Sequence, residues 1–328
     1  MSVIISSLIF LLRLLKEHRK VIVSCRNSGF GDNLLAAANA WYYAKNTDRA
    51  LVIYWHNSRY LADKGENAFS HFFDVPASIE GAPIIAGPRL DRLSDFLILH
   101  PFYLLPRPDP LMLMYRLTSK LGIRTDYRLM KRISNRQKVT DGIITGLADV
   151  SRRIIVTHGC YVPNEHLRPF FDSLALNGEY QKRADAFSDM NFKGKKVIGV
   201  HIRYYNQSMQ PSDHTKYWLD QPKALSECLD KIQRAAAGLA EPEYVVFLCT
   251  DSRKVHDFII RSVCNVVTYE KAFGRDSSKE LHEEIPKETA AATVIEMFLL
   301  AKSDVLVRFP PGSWFSHYAS LYAKKIVT

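Results

Sequence analysis

Short runs of Val, Ile and Leu recur along the chain and alternate with segments whose apolar residues follow a helical period. The strands predicted from these runs are Val21–Cys25, Leu51–Trp55, Ile154–Thr157, Val197–Ile202, Tyr244–Cys249, Val266–Tyr269 and Val305–Phe309. The predicted helices are Asn33–Lys45, Pro222–Ala237, Lys254–Ser262 and Ala290–Lys302. Continuous apolar runs are typical of parallel strands covered on both faces. The alternation predicts an α/β fold with parallel sheets.

A chain of 328 residues is long enough for two such domains, each with its own core. We predict a first domain over residues 21–190 and a second over 191–328, with residues 1–20 apart from both. The hydrophilic stretch 177–196, which contains Gly194, is the candidate boundary. Two doubly wound domains facing each other would form a cleft, with ligands at the carboxyl ends of the strands.

Composition narrows the class of protein. Hydrophobic residues make up 47% and charged residues 24% of the chain, which excludes a disordered, collagenous or disulfide-stapled protein. Five cysteines without a CxxC pair indicate neither a disulfide framework nor a zinc knuckle, and favour a reducing, cytoplasmic setting. The net charge of +10 indicates anionic partners. With no recognisable nucleic-acid motif, we expect no nucleic-acid partner.

The N-terminus leaves two interpretations open. Residues 2–15 are strongly apolar but too few to span a bilayer, and Arg13 interrupts them. The segment could form a first helix packed on the protein itself, or an interfacial helix on the cytoplasmic face of the inner membrane. The basic, Leu- and Met-rich stretch 111–132 could likewise lie on a membrane or form a helix with a solvated face.

A glycine-containing turn follows the first predicted strand. Gly29 and Gly31 lie between that strand and a helix, where the backbone could approach an anion at the helix N-terminus. The alternative is a plain tight turn with Asp32 or Asn33 as the helix cap. The sequence GFGD matches neither GxGxxG nor a P-loop, which argues against dehydrogenases and P-loop NTPases.

His201 and Arg203 end a buried strand. Residues two apart on a strand face the same way, and polar residues there are costly unless they are used. The planar fork of an arginine suits a diphosphate. The alternative is a buried salt bridge to the neighbouring strand.

Three further polar residues follow or interrupt apolar segments. Asp251 could stabilise charge at the cleft, or it or Ser252 could cap the next helix. Glu296 lies in an apolar helical run; its carboxylate could accept two hydrogen bonds from guanine, or be an ordinary exposed glutamate. Ser313 could donate to phosphate at a helix N-terminus, or be the helix cap.

Several familiar catalytic motifs are absent from the sequence. The chain has no DxD, so no obvious divalent-metal site for a sugar diphosphate is expected. It also lacks HExxH and GxSxG, the motifs of zinc proteases and of the hydrolase nucleophile elbow.

Taken in order, the motifs resemble those of the rhizobial nodulation-factor fucosyltransferases of the NodZ type, relatives of the α1,6-fucosyltransferases that act on N-glycan cores. The resemblance runs from about Val21 to about Ala323. The segments that carry it are SGFGD…AWYYA, Trp55…Tyr60-Leu61, Asn67-Ala68-Phe69…Phe72-Phe73, GVHIR, KYW, VFLCTDS and LLAKSDVLVRFPPGSWFSHYA.

The resemblance implies a GT-B-like fold of two Rossmann-like domains, with the GDP-sugar bound mainly by the second. It implies inverting, metal-independent transfer, with GDP-fucose as donor substrate and no other cofactor. By matching positions, Arg203 would hold the diphosphate, and His201 and Glu296 would read guanine. The other implied donor-site residues are Asp251, Ser313, Asn206 and Tyr217.

The chain departs from this family after Arg203. The nodulation enzymes continue with HGNGE, whereas this chain reads YYNQS and keeps only Asn206. The resemblance places this loop at the donor sugar. A different GDP-sugar, or a nucleotide- or glycan-binding pseudoenzyme, therefore stays an alternative to fucose transfer.

The catalytic base and the acceptor each have two candidates. The resemblance points to Asp213 as the base that accepts the acceptor proton, with His214 as the alternative. It also points to the 6-hydroxyl of GlcNAc in a chitooligosaccharide as acceptor. The basic, apolar N-terminus indicates a lipid-linked bacterial glycan instead, with peripheral contact to anionic membrane.

Overall fold

The computed structural model describes residues 17–18, 20–24, 26, 29–55, 60, 66–86, 154–157, 162, 164–204, 221–271, 273, 287–311 and 313–327. The chain divides into two compact units, Met1–Asn177 and Gly178–Thr328.

The first unit is built on a mainly parallel sheet. Its strands are β1 (Val21–Ser24), β2 (Ala50–Ile53), β3 (Phe73–Asp74), β4 (Ser78–Ile79), β5 (Ala82–Ile85), β6 (Ile154–Thr157) and β7 (Ala175–Leu176). Among the described residues of this unit, the helices are α1 (Phe30–Asn46), α2 (Ala68–Phe72) and α3 (Arg168–Asp172), with a 3₁₀ turn at Asn164–His166.

The main sheet of this unit has the order β4-β5-β2-β1-β6, parallel except for the edge pair β4–β5. Every residue of β1 and β2 is buried. Helix α1 is rich in buried alanine, which lets its backbone lie close to the sheet. Trp41 of α1 is fully buried and donates its indole N–H to the carbonyl of Ile79, 3.1 Å away. The hydrogen bond ties the helix to the sheet edge.

The second unit is built on a fully parallel sheet. Its strands are β8 (Lys196–Ile202), β9 (Tyr244–Thr250), β10 (Val266–Val267), β11 (Val305–Phe309) and β12 (Lys325–Val327). Its helices are α4 (Gly178–Asn191), α5 (Gln221–Ala236), α6 (Arg253–Ser262), α7 (Lys287–Ala301) and α8 (His317–Ser320).

This sheet has the order β10-β9-β8-β11-β12. Counted within the unit, that is strand order 3-2-1-4-5, which reverses between β8 and β11. A parallel sheet whose order reverses in this way is doubly wound, and the reversal leaves a crevice at the carboxyl ends of the central strands. The α/β class predicted from the sequence is confirmed, and the crevice positions the candidate site.

Helix α7 lies very close to β8. A Cβ added to Gly199 of β8 would lie 2.9 Å from Cβ of Ser303 and closer still to its Oγ. The absence of a side chain at Gly199 therefore sets how near the end of α7 can approach the sheet.

Helix α4 occupies the hydrophilic stretch that the sequence analysis assigned to a domain boundary. The unit boundary falls before this helix, at Asn177, rather than at residue 190. Phe187 of α4 packs its ring 5.5 Å from that of Phe247 in β9, and Asp185 pairs with Lys302 at 3.0 Å. The helix is hydrophilic because it buries little of its surface, chiefly at Tyr180 and Ala184.

Candidate active site

Polar side chains meet where β8, β9 and β11 end. The register places His201 of β8 beside Cys249 of β9 and beside Arg308 of β11. Paired residues on neighbouring strands share a face, so these three side chains form a row across the sheet. The row lies near the carboxyl ends of its three strands, two of which, β8 and β11, flank the reversal of strand order.

Arg203 and Asp251 form an ion pair just beyond the ends of β8 and β9. Nη1 of Arg203 donates to Oδ2 of Asp251, and the backbone N–H of Tyr204 donates to Oδ1 at 3.0 Å. The backbone N–H of Arg203 donates to the carbonyl of Phe309 at 2.8 Å. The side chains keep 27% and 31% of their surface exposed, so the pair faces solvent and can meet a ligand.

Helix α6 is capped by Ser252 and not by Asp251, although the sequence left both possible. Ser252 is the N-cap of α6, and its hydroxyl accepts the backbone N–H of Val255 at 3.3 Å. Asp251 is therefore left to pair with Arg203. The salt bridge between neighbouring strands, which we weighed as the alternative role of Arg203, is present, but it is partly exposed rather than buried.

His201 is 5% exposed and lies within 3.2 Å, through Nδ1, of the hydroxyl of Ser316. Its ring lies 4.8 Å from that of Phe315. Burial lowers the pKa of His201 well below its usual value, and the charges of Arg203, Arg308 and Lys271 lower it further. The imidazole is therefore neutral at physiological pH and acts through hydrogen bonds rather than charge.

Arg308 is a partly buried cation that the sequence analysis did not nominate. Its Nε donates to the hydroxyl of Ser316 at 3.0 Å and its Nη2 donates to the carbonyl of Ser313 at 2.9 Å. No carboxylate of the described residues pairs with it, and burial alone lowers the pKa of its guanidinium. The signal was present in the motif VRFPP, since a charged residue interrupts a buried strand there.

Ser313 is buried but neither begins nor caps a helix, so the alternative role as a helix cap is wrong, and so is its expected position at a helix N-terminus. Helix α8 begins at His317, and its N-cap is Ser316, whose side chain makes no capping hydrogen bond. Ser313 instead lies in the preceding turn, where its carbonyl accepts from both Arg308 and the Ser316 hydroxyl, the latter at 3.3 Å. These two hydrogen bonds to the Ser313 carbonyl stabilise the turn that precedes α8.

Glu296 is 2% exposed, so the interpretation as an exposed helical glutamate is wrong. Its Oε2 accepts from the ammonium of Lys271 at 2.6 Å. Burial raises the pKa of the Glu296 carboxyl, the Lys271 ammonium opposes that rise, and the charge of Asp251 adds to it. Sequence reasoning missed Lys271, which follows the short strand β10 and meets Glu296 only through the fold.

Gly29 and Gly31 lie in the first unit, at the start of α1. Gly29 is the N-cap residue, and no side chain caps the helix there. Helix α1 begins at Phe30, so Asp32 and Asn33 lie inside its first turns and the alternative that either is the N-cap residue is wrong; Asp32 lies 3.5 Å from Arg26 as an ion pair. The anion-binding role predicted for the two glycines stays a prediction.

Four nominated residues lie outside the described residues: Asn206, Asp213, His214 and Tyr217. So do the apolar segment 2–15 and the basic segment 111–132. Within the described ranges, no group of three or more His, Cys, Asp or Glu side chains could hold a metal ion. Nor is any helix in the described part of the chain both long and apolar enough to cross a membrane.

Comparison with known proteins gives consistent matches over almost the whole chain. The family model described as Nodulation protein Z (NodZ) matches residues 17–328. The chain is 32% identical over 315 residues to Nodulation protein Z of Sinorhizobium fredii, covering 94% of this chain and 93% of the relative. A crystal structure of NodZ alpha-1,6-fucosyltransferase soaked with GDP-fucose matches with a TM-score of 0.65 and 30% identity, covering 94% of each chain.

A more distant structure shares the fold. A mutant of Arabidopsis thaliana FUT1 in complex with GDP matches with a TM-score of 0.53 and 16% identity, covering 96% of this chain and 72% of that one. The doubly wound sheet, its polar strand ends and these matches define a glycosyltransferase. The chain belongs to the nodulation protein Z (NodZ) family.

Proposed function

We propose that the chain transfers fucose from GDP-fucose to a glycan hydroxyl, with inversion at the anomeric carbon and without a metal ion. The observation that carries the proposal is the partly exposed Arg203–Asp251 pair, whose arginine follows β8, one of the two strands that flank the reversal of strand order. An arginine there can bind a diphosphate, and a NodZ relative has been solved after soaking with GDP-fucose. The GT-B arrangement, with the two units facing one cleft, is part of the proposal.

In the proposed reaction the acceptor oxygen forms a bond to the anomeric carbon of fucose. The bond between that carbon and the β-phosphate oxygen breaks on the opposite face, and GDP leaves with the electron pair. Arg203 offsets the charge that develops on the diphosphate, and Asp251 holds its guanidinium in place. Ser313, which accepts from Arg308, and the neutral His201, which contacts Ser316, are further candidates for contacts with the donor.

Arg308 supplies a charge that the described residues do not neutralise. Arg203 pairs with Asp251 and Lys271 pairs with Glu296, whereas Arg308 has hydrogen-bond partners but no carboxylate. The charges of all three cations lower the pKa of the same imidazole, that of His201. An unbalanced positive charge favours an anionic ligand such as the diphosphate.

The proton of the acceptor hydroxyl needs a base, for which Asp213 is our candidate and His214 the alternative. The proposed acceptor is the 6-hydroxyl of GlcNAc in a chitooligosaccharide-like or lipid-linked bacterial glycan. The proposal places the enzyme in the cytoplasm, with peripheral contact to the inner membrane through residues 2–15. Binding of the full chain to anionic vesicles tests that contact, and a chain left in the supernatant would contradict it.

Transfer from a different GDP-sugar is the second candidate, because the segment after Arg203 reads YYNQS rather than the HGNGE of the nodulation enzymes. It shares the diphosphate contacts of the first candidate and differs only at the sugar. A pseudoenzyme is less well supported, since Arg203 and Asp251 are both present and paired.

Calorimetric titration with GDP-fucose, GDP-mannose, UDP-GlcNAc and GDP, without added metal, tests the proposal. We expect GDP and GDP-fucose to bind, with GDP-fucose preferred over GDP-mannose. The variant Arg203→Ala should weaken GDP binding about 100-fold, since it removes a charge-assisted contact. Arg261→Ala is the matched control, since it removes one positive charge from the exposed end of α6.

Each outcome separates the candidates. Equal binding of GDP-fucose and GDP-mannose would favour the second candidate. Binding of GDP-fucose without hydrolysis or transfer in an acceptor screen would favour the pseudoenzyme. Absence of guanine nucleotide binding would overturn the proposed function.

A further inference from the structure

The ion pair between Lys271 and Glu296 is almost enclosed by protein. The Lys271 side chain is 11% exposed, the Glu296 side chain is 2% exposed, and 2.6 Å separates Nζ from Oε2. The other carboxylate oxygen, Oε1, is buried and has no hydrogen-bond partner among the described residues. A buried acceptor without a donor is costly, so a free oxygen beside a satisfied one marks a place for a ligand N–H.

The pair belongs to the same polar cluster as the diphosphate residues. The charge of Asp251 adds to the raised pKa of Glu296, and the charge of Glu296 adds to the effect of burial in raising the pKa of Cys249. Cys249 is the register partner of His201. A nucleotide whose diphosphate meets Arg203 could therefore present its base to Glu296.

Lys271 is the more exposed member of the pair, so a ligand that bonds to Glu296 must also meet Lys271 or displace it. Displacement would leave a buried carboxylate without its cation, which is strongly unfavourable. If the pair is retained, the Lys271 ammonium can donate to the ligand and Oε1 of Glu296 can accept from it. A ligand that fits must therefore have an acceptor for Lys271 next to a donor for Glu296 along one edge.

We propose that Lys271 determines the base specificity of the donor site by donating to the 6-oxo group of guanine while Oε1 of Glu296 accepts its N1–H. Adenine presents the reverse order, an amino donor beside a ring-nitrogen acceptor, and is rejected. In this arrangement Lys271 and Oε2 lie on the side of the 6-oxo group, so Oε2 faces away from the 2-amino group of guanine and Glu296 does not read that group. The inference rests on the proposed use of a GDP-sugar.

The 2-amino group gives a direct test in the unmodified protein. Hypoxanthine has the 6-oxo group and N1–H of guanine but lacks the 2-amino group. We expect IDP to bind within about threefold of GDP, and ADP to bind about 100-fold more weakly than GDP. If IDP binds about tenfold or more weakly than GDP, both carboxylate oxygens read the base and the inference is overturned.

Variants test the role of Lys271 itself. Lys271→Met should weaken GDP and IDP by at least about tenfold and leave ADP nearly unchanged, so that the preference for GDP over ADP collapses. Lys324→Met is the matched control, because Lys324 pairs with Asp304 at the surface and should leave the preference intact. An unchanged GDP-to-ADP ratio in Lys271→Met would overturn the inference.

A second variant guards against misfolding caused by the unpaired carboxylate. Lys271→Met combined with Glu296→Gln removes both charges of the pair, which is better tolerated than removing one. It should also lose the preference for GDP over ADP, and a retained preference would overturn the inference. If the unmodified protein binds no guanine nucleotide, the proposed function fails and this inference fails with it; normal GDP binding with a failed IDP or variant test overturns this inference alone.

Discussion

Asp251 accepts from two different parts of the chain that follows β8: one carboxylate oxygen bonds to the guanidinium of Arg203, and the other accepts the backbone N–H of Tyr204 at 3.0 Å. The same carboxylate therefore orients the arginine and fixes the backbone at the point where the YYNQS segment begins. Because the two roles use different oxygens, they can be separated by substitution.

Asp251→Asn should lower turnover of GDP-fucose by about 10- to 100-fold while the chain remains folded. An asparagine oxygen can still accept from the Tyr204 N–H, but the charge that holds Arg203 is lost. The pair is about a third exposed, so we expect the free energy of unfolding to change by less than about 1 kcal/mol. Steady-state kinetics and urea unfolding measure the two effects, and turnover above half of normal would contradict the role of Asp251.

Arg308→Lys should weaken both the fold and GDP binding. The guanidinium bridges the Ser316 hydroxyl and the Ser313 carbonyl, and a single ammonium cannot reproduce that fork. We expect a loss of about 1–3 kcal/mol in unfolding free energy and about tenfold in GDP affinity. Ser316→Ala, which removes only one of the two partners, should have the smaller effect. Wild-type values for Arg308→Lys in both assays would show that the turn does not depend on the bridge.

Acid should destabilise the protein in part through His317. Burial lowers the pKa of His317 to about 4, with a further contribution from Arg308. The unfolded chain binds that proton more tightly, so the unfolding free energy falls once the pH drops below about 6.5, and the loss continues down to about pH 4. At pH 5 the loss from this group is about 2 kcal/mol.

Urea unfolding at pH 7 and pH 5 checks this expectation. His317→Asn should lose less stability than the unmodified protein between the two pH values, whereas His166→Asn, at an exposed position, should lose as much. Equal losses in the unmodified protein and His317→Asn would refute the assignment.

Gly199→Ala should destabilise the second unit by about 1–3 kcal/mol, because the added Cβ has no room beside Ser303. The double variant with Ser303→Gly should recover much of that loss. Gly178→Ala is the control, since a Cβ there meets nothing within 4 Å. Thermal unfolding measures all three, and full stability of Gly199→Ala would show that α7 can shift away from the sheet.

Most strands of the two main sheets could be predicted from their apolar runs, including the edge strands β6 and β10, whereas β4, β5 and β12 could not. Strands such as β8 and β11 are apolar at nearly every position, so their pattern is unambiguous. β12 is largely exposed and α4 buries few residues, so neither has a strong apolar pattern. Their placement depends on packing against elements distant in the sequence.

Some residues of the candidate site could likewise be predicted from the sequence, and others could not. His201, Arg203 and Asp251 lie at or just beyond the ends of buried strands, and the topology of a parallel sheet predicts that such residues meet at one edge. Lys271 reaches Glu296 from a segment that no periodic pattern describes, across 25 positions of the chain. Only the folded chain reveals that pair, and with it the buried carboxylate oxygen, Oε1, that has no hydrogen-bond partner among the described residues.

The position of α4 decides where the second unit could be separated from the first by truncation. A fragment beginning at residue 191 would lack the ring of Phe187 and would open the fully buried Phe247 to water. It would also lose Arg183, which donates to the Tyr269 hydroxyl at 3.0 Å, and the Asp185 carboxylate that pairs with Lys302. A fragment beginning at Gly178 keeps all of these contacts. A truncation that preserves the packing of the second sheet must therefore be made before α4, although the hydrophilic sequence of this helix does not indicate that it belongs to the second unit.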